Sequence, residues 1–393
     1  LIPRSRNLCP HGGIKRDSFT IISVRSGENM RKILLSLLLS GLFCASIAAQ
    51  KISKPTLTAS EATAAQKSVI QEGIALHDSK KYGEAAKKYR EVLQENPDCT
   101  FAMYELALTY YANLDYQNAL EVAFKGTKYK SKELSLFYGI IANVWDDKGQ
   151  SDEAIKLYQD GIKMLRDEKD SDEHLSSLYF NLGVTYTRLK KYSEAREALK
   201  KAVEYNFGYA SPSYVLAEIF SGTKYKVPGL LAAARLISLE TNTPRAARSV
   251  KIFLDALNSA QKDEKTGNIN IFMDINAPKD EGDFAMYDLL LGTLTAVKTD
   301  EDKNKTDEEI FAGAVDTLIA MLSEDKKISK TFVGKTYIPF MAEMKKQGFS
   351  KIFAYLVLQK NGNKAAEKWL VENERKTLDF FSWAKSYKAA KRD

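Results

Sequence analysis

Asp300, Asp302 and Asn304 alternate within "KTDEDKNKTDEE", which runs from Lys298 to Glu309, and oxygen ligands at that spacing begin a calcium-binding loop. Such a loop needs glycine at its sixth position for a sharp turn and glutamate at its twelfth for bidentate closure. Lys305 and Phe311 stand at those places, so calcium is not expected. The segment reads instead as a polar loop in which Thr306 and Glu309 form a capping box, starting a helix at Ile310. No nucleophile elbow, phosphate-cradling glycine loop or histidine-glutamate metal signature is present. The carboxylates are plentiful but scattered, and a glycosidase pair cannot be drawn from sequence proximity. The expectation is a non-enzyme without metal or cofactor.

The start of the chain bears on where it works. Met30 precedes Arg31-Lys32, then the apolar run Ile33 to Phe43, then "CASIAAQ" from Cys44 to Gln50. Basic, apolar and small residues in that order make a secretory signal peptide, with cleavage after Ala48 or Ala49. The apolar run is far short of the roughly 20 residues that span a bilayer. Cys44 follows Leu42-Phe43 rather than a small residue, which argues against a lipid anchor. We therefore expect an upstream extension outside the fold (1–29), a signal peptide (30–49) and a linker (50–64), with the protein exported to the periplasm or secreted.

Seven of the 58 basic and two of the 51 acidic residues lie in 1–49, so the remainder carries 51 and 49, a net charge of +2. That balance gives no electrostatic footprint for nucleic acid. Cys9 and Cys44 also fall in the leader, which leaves Cys99 without a disulfide partner in the same chain. His77 and His174 remain, far apart and without cysteine neighbours, so a zinc site of the usual kind is not expected.

Along the rest of the chain, small residues recur in pairs twelve apart: Gly73 with Ala85, Ala107 with Ala119, Ala142 with Ala154, and Gly183 with Ala195. Three residues after each first member stands a large side chain, Leu76, Tyr110, Trp145 or Tyr186. Three before the second member stands Tyr82, Tyr116 or Tyr192, with Ser151 as the exception. The second alanine advances by 34, 35 and 41 residues, and the last interval contains the charged insertion "RDEKDSD" (Arg166 to Asp172). A small residue at a helix crossing lets two backbones approach, while large neighbours fill the grooves beside it.

This 34-residue helix-turn-helix pattern resembles the tetratricopeptide repeat (TPR). The resemblance covers about Ala65 to Phe207, with a looser fifth unit to about Glu240. It implies an all-α fold, a right-handed superhelical α-solenoid over 65–243 followed by a helical C-terminal region over 244–393. The repeats fall at about 65–98, 99–133, 134–165, 175–207 and 208–243. Glu72 and Ala123 depart from the family's usual residue types, and Pro97 closes the first unit where the family commonly places proline. Each amphipathic helix keeps an apolar stripe open until the next repeat covers it, so stacking stabilises the array.

In this family the first helix of each repeat lines a concave face. That phase puts Ile70, Ile74 and His77 there from the first unit, and Phe101, Tyr104, Leu108 and Tyr111 from the second. Asn143 and Asp146 follow from the third, and Phe180, Val184, Thr187 and Arg188 from the fourth. These side chains either grip a protein or peptide partner, with a few buried aromatics supplying most of the affinity, or pack between adjacent repeats. Most are apolar or aromatic, which disfavours a clamp for a C-terminal carboxylate.

Past Thr243-Pro244 the spacing fades. "AARSVKIFLDALNSA" (246–260) is amphipathic, "TGNINIFMDINAP" from Thr266 reads as a short extended excursion, and hairpins turn at Gly348 and at Asn361-Gly362-Asn363. Aromatics crowd the end of the chain at Phe349, Phe353, Tyr355, Trp369, Phe380, Phe381 and Trp383. They either pack the last hairpins as a cap or present a surface for a partner or a glycan. The expected function is a non-catalytic exported scaffold of the bacterial envelope that holds a protein partner. The alternative is a glycan- or nutrient-binding repeat protein of the outer membrane.

Overall fold

Lys80, Leu114, Gly149, Lys190 and Lys224 all have positive φ, between 59° and 75°, and they lie 34, 35, 41 and 34 residues apart. Each follows the end of a helix by two residues and reverses the chain. The residue after each one donates its backbone N–H to a carbonyl five positions back: Lys81 to Leu76, Asp115 to Tyr110, Gln150 to Trp145, Lys191 to Tyr186 and Tyr225 to Phe220, at 2.8–3.0 Å. This is the Schellman closure of a helix C-terminus. Its acceptors in the first four turns are the large residues that set the sequence period.

The computed structural model describes residues 52–257, 260–262, 269–271, 279–294 and 302–389, all within a unit that begins at Ile52. The extension expected over 1–29 and the signal peptide expected over 30–49 lie outside the described residues. Among those residues there are 17 α-helices and two small strand pairs. The first hairpin is α1 (Ala64–Asp78) with α2 (Tyr82–Glu95), the second α3 (Thr100–Ala112) with α4 (Tyr116–Gly126), and the third α5 (Leu134–Asp147) with α6 (Ser151–Leu165). The fourth is α7 (Asp172–Arg188) with α8 (Tyr192–Tyr205), and the fifth α9 (Ala210–Gly222) with α10 (Lys226–Ile237). Each helix packs on the next in the chain, as an α-solenoid requires.

The paired small residues lie where helices cross. Gly73, Ala85, Ala107, Ala119, Ala142, Ala154, Gly183 and Ala195 are all buried. A Cβ on Gly73 would lie 2.6 Å from the Tyr89 ring, and one on Gly183 would lie 2.6 Å from Leu199 Cγ and 3.3 Å from the Ala195 carbonyl oxygen. The fifth unit repeats the device with Ala217 and Gly229, again twelve apart and buried. At the fourth unit the helix starts three residues ahead of the expected boundary at 175. Asp172 and Glu173 form its acidic first turn, where carboxylates complement the helix dipole.

The segment expected as a linker over 50–64 is docked where described. Thr56 and Leu57 donate backbone N–H groups to the Lys128 carbonyl, both at 3.0 Å. Strand β1 (Leu57–Thr58) pairs in parallel with β2 (Tyr129–Lys130). Thr63 then caps α1 in a reciprocal box with Gln66.

Helical packing continues past the expected array end. Thr243 accepts the Ala246 N–H at 3.1 Å, and Pro244 opens α11 (Pro244–Leu257) at the position where a missing N–H costs nothing. Helix α11 packs on both α9 and α10, in the place of a sixth first helix. The extended excursion is present as β3 (Ala260–Lys262) antiparallel to β4 (Ile269–Ile271), and its first strand precedes the Thr266 start read from sequence. Residues 272–278 of the excursion lie outside the described set.

After α12 (Ala285–Leu294) comes α13 (Asp307–Glu324), capped by Thr306 and Glu309 as expected, although its first turn begins at Asp307 rather than Ile310. Asp302 pairs with Lys305 Nζ at 3.0 Å, so the lysine that breaks the calcium pattern neutralises one of its carboxylates. Four helices complete the chain: α14 (Phe332–Lys346), α15 (Ser350–Lys360), α16 (Lys364–Glu372) and α17 (Glu374–Ser386). The hairpins turn at Gly348 and Gly362, both with positive φ. One continuous apolar core runs from Ala195 and Phe207 to Phe380 and Ala384, so the C-terminal helices close the end of the array.

Candidate functional site

First helices touch first helices: α1 meets α3, α3 meets α5, α5 meets α7, α7 meets α9, and α9 meets α11. They form one continuous wall, and its composition changes along its length.

In the first two repeats the wall is apolar and aromatic. Ile74 and Phe101 are half-buried against the N-terminal core. Tyr104 is half-buried and lies edge-on to Phe137, with ring centres 6.3 Å apart. Leu108 and Tyr111 are also half-buried. Ile70 is fully buried and belongs to the core. His77 is likewise a correction to the expected groove. It is 4% exposed, its Nδ1 lies 2.8 Å from Thr109 Oγ1, and Tyr82 meets its ring edge-on. A half-polar ring suits that place because it bridges two repeats while satisfying a buried hydroxyl.

The middle of the wall is polar. Arg188, at the end of α7, forms an ion pair with Asp146 at the end of α5; the arginine is 44% exposed and the carboxylate 5%. Beside them Tyr116 donates to Asp147 Oδ2 at 3.1 Å, and Tyr111 packs against Tyr116 with ring centres 6.1 Å apart. Burial raises the Tyr111 phenol well above its usual range, and its hydrogen bond to Asp147 adds to this while Arg188 opposes it. Burial pushes the Arg188 guanidinium the other way. Two residues placed on this face by sequence, Tyr111 and Arg188, are thus brought together across three repeats. Asn143 is half-buried on the same helix as Asp146.

Phe180 meets Tyr209 edge-on, with ring centres 5.2 Å apart, so part of its surface serves packing between the fourth and fifth repeats. Val184 is half-buried, as is Thr187, whose hydroxyl donates to the Gly183 carbonyl at 2.8 Å. Further along, Arg248 on α11 holds Glu218 on α9 through two bonds of 2.8 and 2.9 Å. Arg245 donates to Ser211 at 2.8 Å. Sequence reading missed this charged end because Arg245 and Arg248 lie past the expected array boundary. Their signal was the return of basic residues to the phase of the first helices.

The terminal aromatics are occupied with one another. Trp383 stacks on Phe340 at 5.1 Å and 15°. Trp369 packs on Tyr355 at 4.6 Å, with Lys351 Nζ 5.5 Å from both rings. Phe353 and Phe380 are fully buried. Trp369, Phe381 and Trp383 are half-buried in these contacts. Among the described residues no group of three or more His, Cys, Asp or Glu side chains is placed to hold a metal ion, and no helix is long and apolar enough to cross a membrane.

Two family models of the tetratricopeptide repeat match the chain, over residues 70–125 and 176–209. Together with the consecutive helix pairs of this period, the matches show that the chain carries tetratricopeptide repeats, which generally mediate protein–protein interaction. No curated protein sequence matches. Similar solved structures include a thermophilic TPR protein of Thermus thermophilus, 18% identical, covering 48% of this chain and 99% of that one with a TM-score of 0.38. Another is PilF of Pseudomonas aeruginosa, 16% identical, covering 71% and 97% with a TM-score of 0.35. A third is the C-terminal part of a TPR repeat-containing protein of Cytophaga hutchinsonii, 13% identical, covering 76% and 98% with a TM-score of 0.35.

Proposed function

We propose that this chain is an exported, non-catalytic scaffold of the bacterial cell envelope that holds a protein or peptide partner along the wall of first helices. The observation that carries the reading is the wall itself. Half-buried Ile74, Phe101, Tyr104, Leu108 and Tyr111 come from two repeats but share one side of the array. Half-buried aromatic and aliphatic side chains on a rigid frame supply most of the affinity in a groove that takes a helix or an extended peptide. Asn143 and the Arg188–Asp146 pair offer polar contacts at the edge of that surface, where they fix register more than they add affinity. Support for export is the basic, apolar and small order from Arg31 to Ala49.

Two measurements test the reading. N-terminal sequencing of protein recovered from the envelope fraction is expected to begin at Ala49 or Gln50; an uncleaved cytoplasmic protein defeats the export half. Tyr104→Ala with Phe180→Ala is expected to remove an envelope partner recovered with the wild-type protein, while circular dichroism stays unchanged. If every interaction survives in the folded double variant, the wall is not the binding surface.

A further inference from the structure

In a repeat array each unit contacts its neighbours, so coupling normally decays from one repeat to the next. The segment ahead of α1 escapes that rule. Following the chain from Lys54 to Ala62, it visits the loops after the third, second and first hairpins in turn. Lys54 Nζ lies 2.5 Å from Glu168. Thr56 and Leu57 bond to Lys128, and Ser60 donates its N–H to the Asp98 carbonyl at 3.0 Å while its hydroxyl bonds to Asn96. Ala62 enters the N-terminal core. The loops are also tied to each other, because the Tyr129 hydroxyl donates to Asp98 at 2.7 Å.

We infer that residues 54–62 are a releasable strap that fixes the spacing of the first three repeats along one edge. Its anchors explain both halves of that statement. They join loops two repeats apart, which nearest-neighbour stacking does not. Yet they lie mostly at the surface: the Lys54 and Glu168 side chains are 57% and 37% exposed, Leu57 is 44% exposed, and Pro55 and Ala62 are the buried members. An exposed ion pair is weak and screened by salt. A segment with few buried apolar contacts opens far more often than the helices it crosses. Opening frees the first three repeats to change spacing, and with them the wall that α1, α3 and α5 form. Any effect on a partner rests on the function proposed above; the effect on the array does not.

Hydrogen exchange of the full chain, read by mass spectrometry without any partner, tests the strap. Thr56→Pro with Leu57→Pro removes both N–H donors to Lys128. Lys54→Glu breaks the far anchor, and adding Glu168→Lys to it restores the opposite charges. The proline pair is expected to speed exchange in α1 to α4 roughly tenfold and Lys54→Glu about two- to threefold, as befits an exposed ion pair, and both are expected to leave α13 to α15 unchanged. The charge swap is expected to return the wild-type pattern, which general misfolding would not. Exchange in α1 to α4 that matches wild type in every variant would overturn the inference, as would a charge swap that behaves like Lys54→Glu alone.

Discussion

The Arg235 guanidinium lies 4.1 Å from the centre of the Phe207 ring and also donates to the Phe207 backbone carbonyl through Nε and Nη2, each at 3.1 Å. Phe340 covers its other side at 4.5 Å, and Nη1 reaches the Ala384 carbonyl at 3.0 Å. The side chain is fully buried, and burial pushes its pKa down to about 9. One planar cation therefore joins the fourth repeat to the last helix of the cap. Removing it leaves two backbone carbonyls without these donors and opens a cavity between two rings. Arg235→Ala is expected to destabilise the protein by about 3–5 kcal/mol in urea unfolding. Arg235→Lys is expected to recover little, because an ammonium cannot reproduce the stacked fork.

The helical glycines divide by what surrounds them, and alanine separates them. At Gly183 a methyl group would press on Leu199 and on the Ala195 backbone, so Gly183→Ala is expected to cost about 1–3 kcal/mol by overpacking. At Gly139, in α5, such a methyl would meet Asn181 Nδ2 at an ordinary 3.5 Å. Gly139→Ala is expected to stabilise by about 1 kcal/mol through helix propensity. Thermal melts of the two variants should move in opposite directions.

Leu114 is 70% exposed in the turn between α3 and α4 with φ of 60°, the position that Gly149 fills in the next repeat. A left-handed conformation costs a residue with a Cβ about 1–2 kcal/mol, and glycine regains most of that despite its looser unfolded chain. Leu114→Gly is expected to raise stability by about 0.5–1 kcal/mol. A loss of stability would show that the leucine makes contacts its exposure does not indicate.

Asp288 gives a pH dependence. It is 5% exposed by surface area, and burial raises its pKa to about 6, with Lys226 opposing. A carboxyl whose folded pKa lies above its unfolded value keeps its proton longer in the folded state, so stability falls as pH rises from about 4 to about 6 and stays lower above. Asp288→Asn is expected to match wild type near pH 3.5 and to exceed it at pH 7.5 by about 1 kcal/mol, a figure reduced for solvent screening. Chemical denaturation at the two pH values checks the sign.

The array was legible in the sequence because its physics is local and repeated. Gly73 with Ala85 and Gly183 with Ala195 mark crossings that only a small side chain tolerates, and Leu76, Tyr110, Trp145 and Tyr186 turn out to supply the carbonyls that close each first helix. The wall was legible in part. Tyr111 and Arg188 could be placed on it by phase, but Asp147 and Tyr116, which complete their network, belong to a helix end and to the next helix. His77 has the phase of a groove residue, and only its neighbour Thr109 shows that it faces inward. The strap was not legible at all. Residues 54–62 have no periodicity, and their anchors at Asp98, Lys128 and Glu168 are distant in sequence and made largely by backbone atoms.

The central claim is that a partner lies along the first helices. Site-specific photocrosslinking in the native envelope tests it most directly, with the probe at Leu108 or Arg188 on the wall and at exposed Glu121 on α4 or Lys156 on α6 as controls. The account predicts one and the same protein adduct from Leu108 and Arg188, and none of it from Glu121 or Lys156. Adducts that form from the second helices, while both wall positions stay silent, would contradict it.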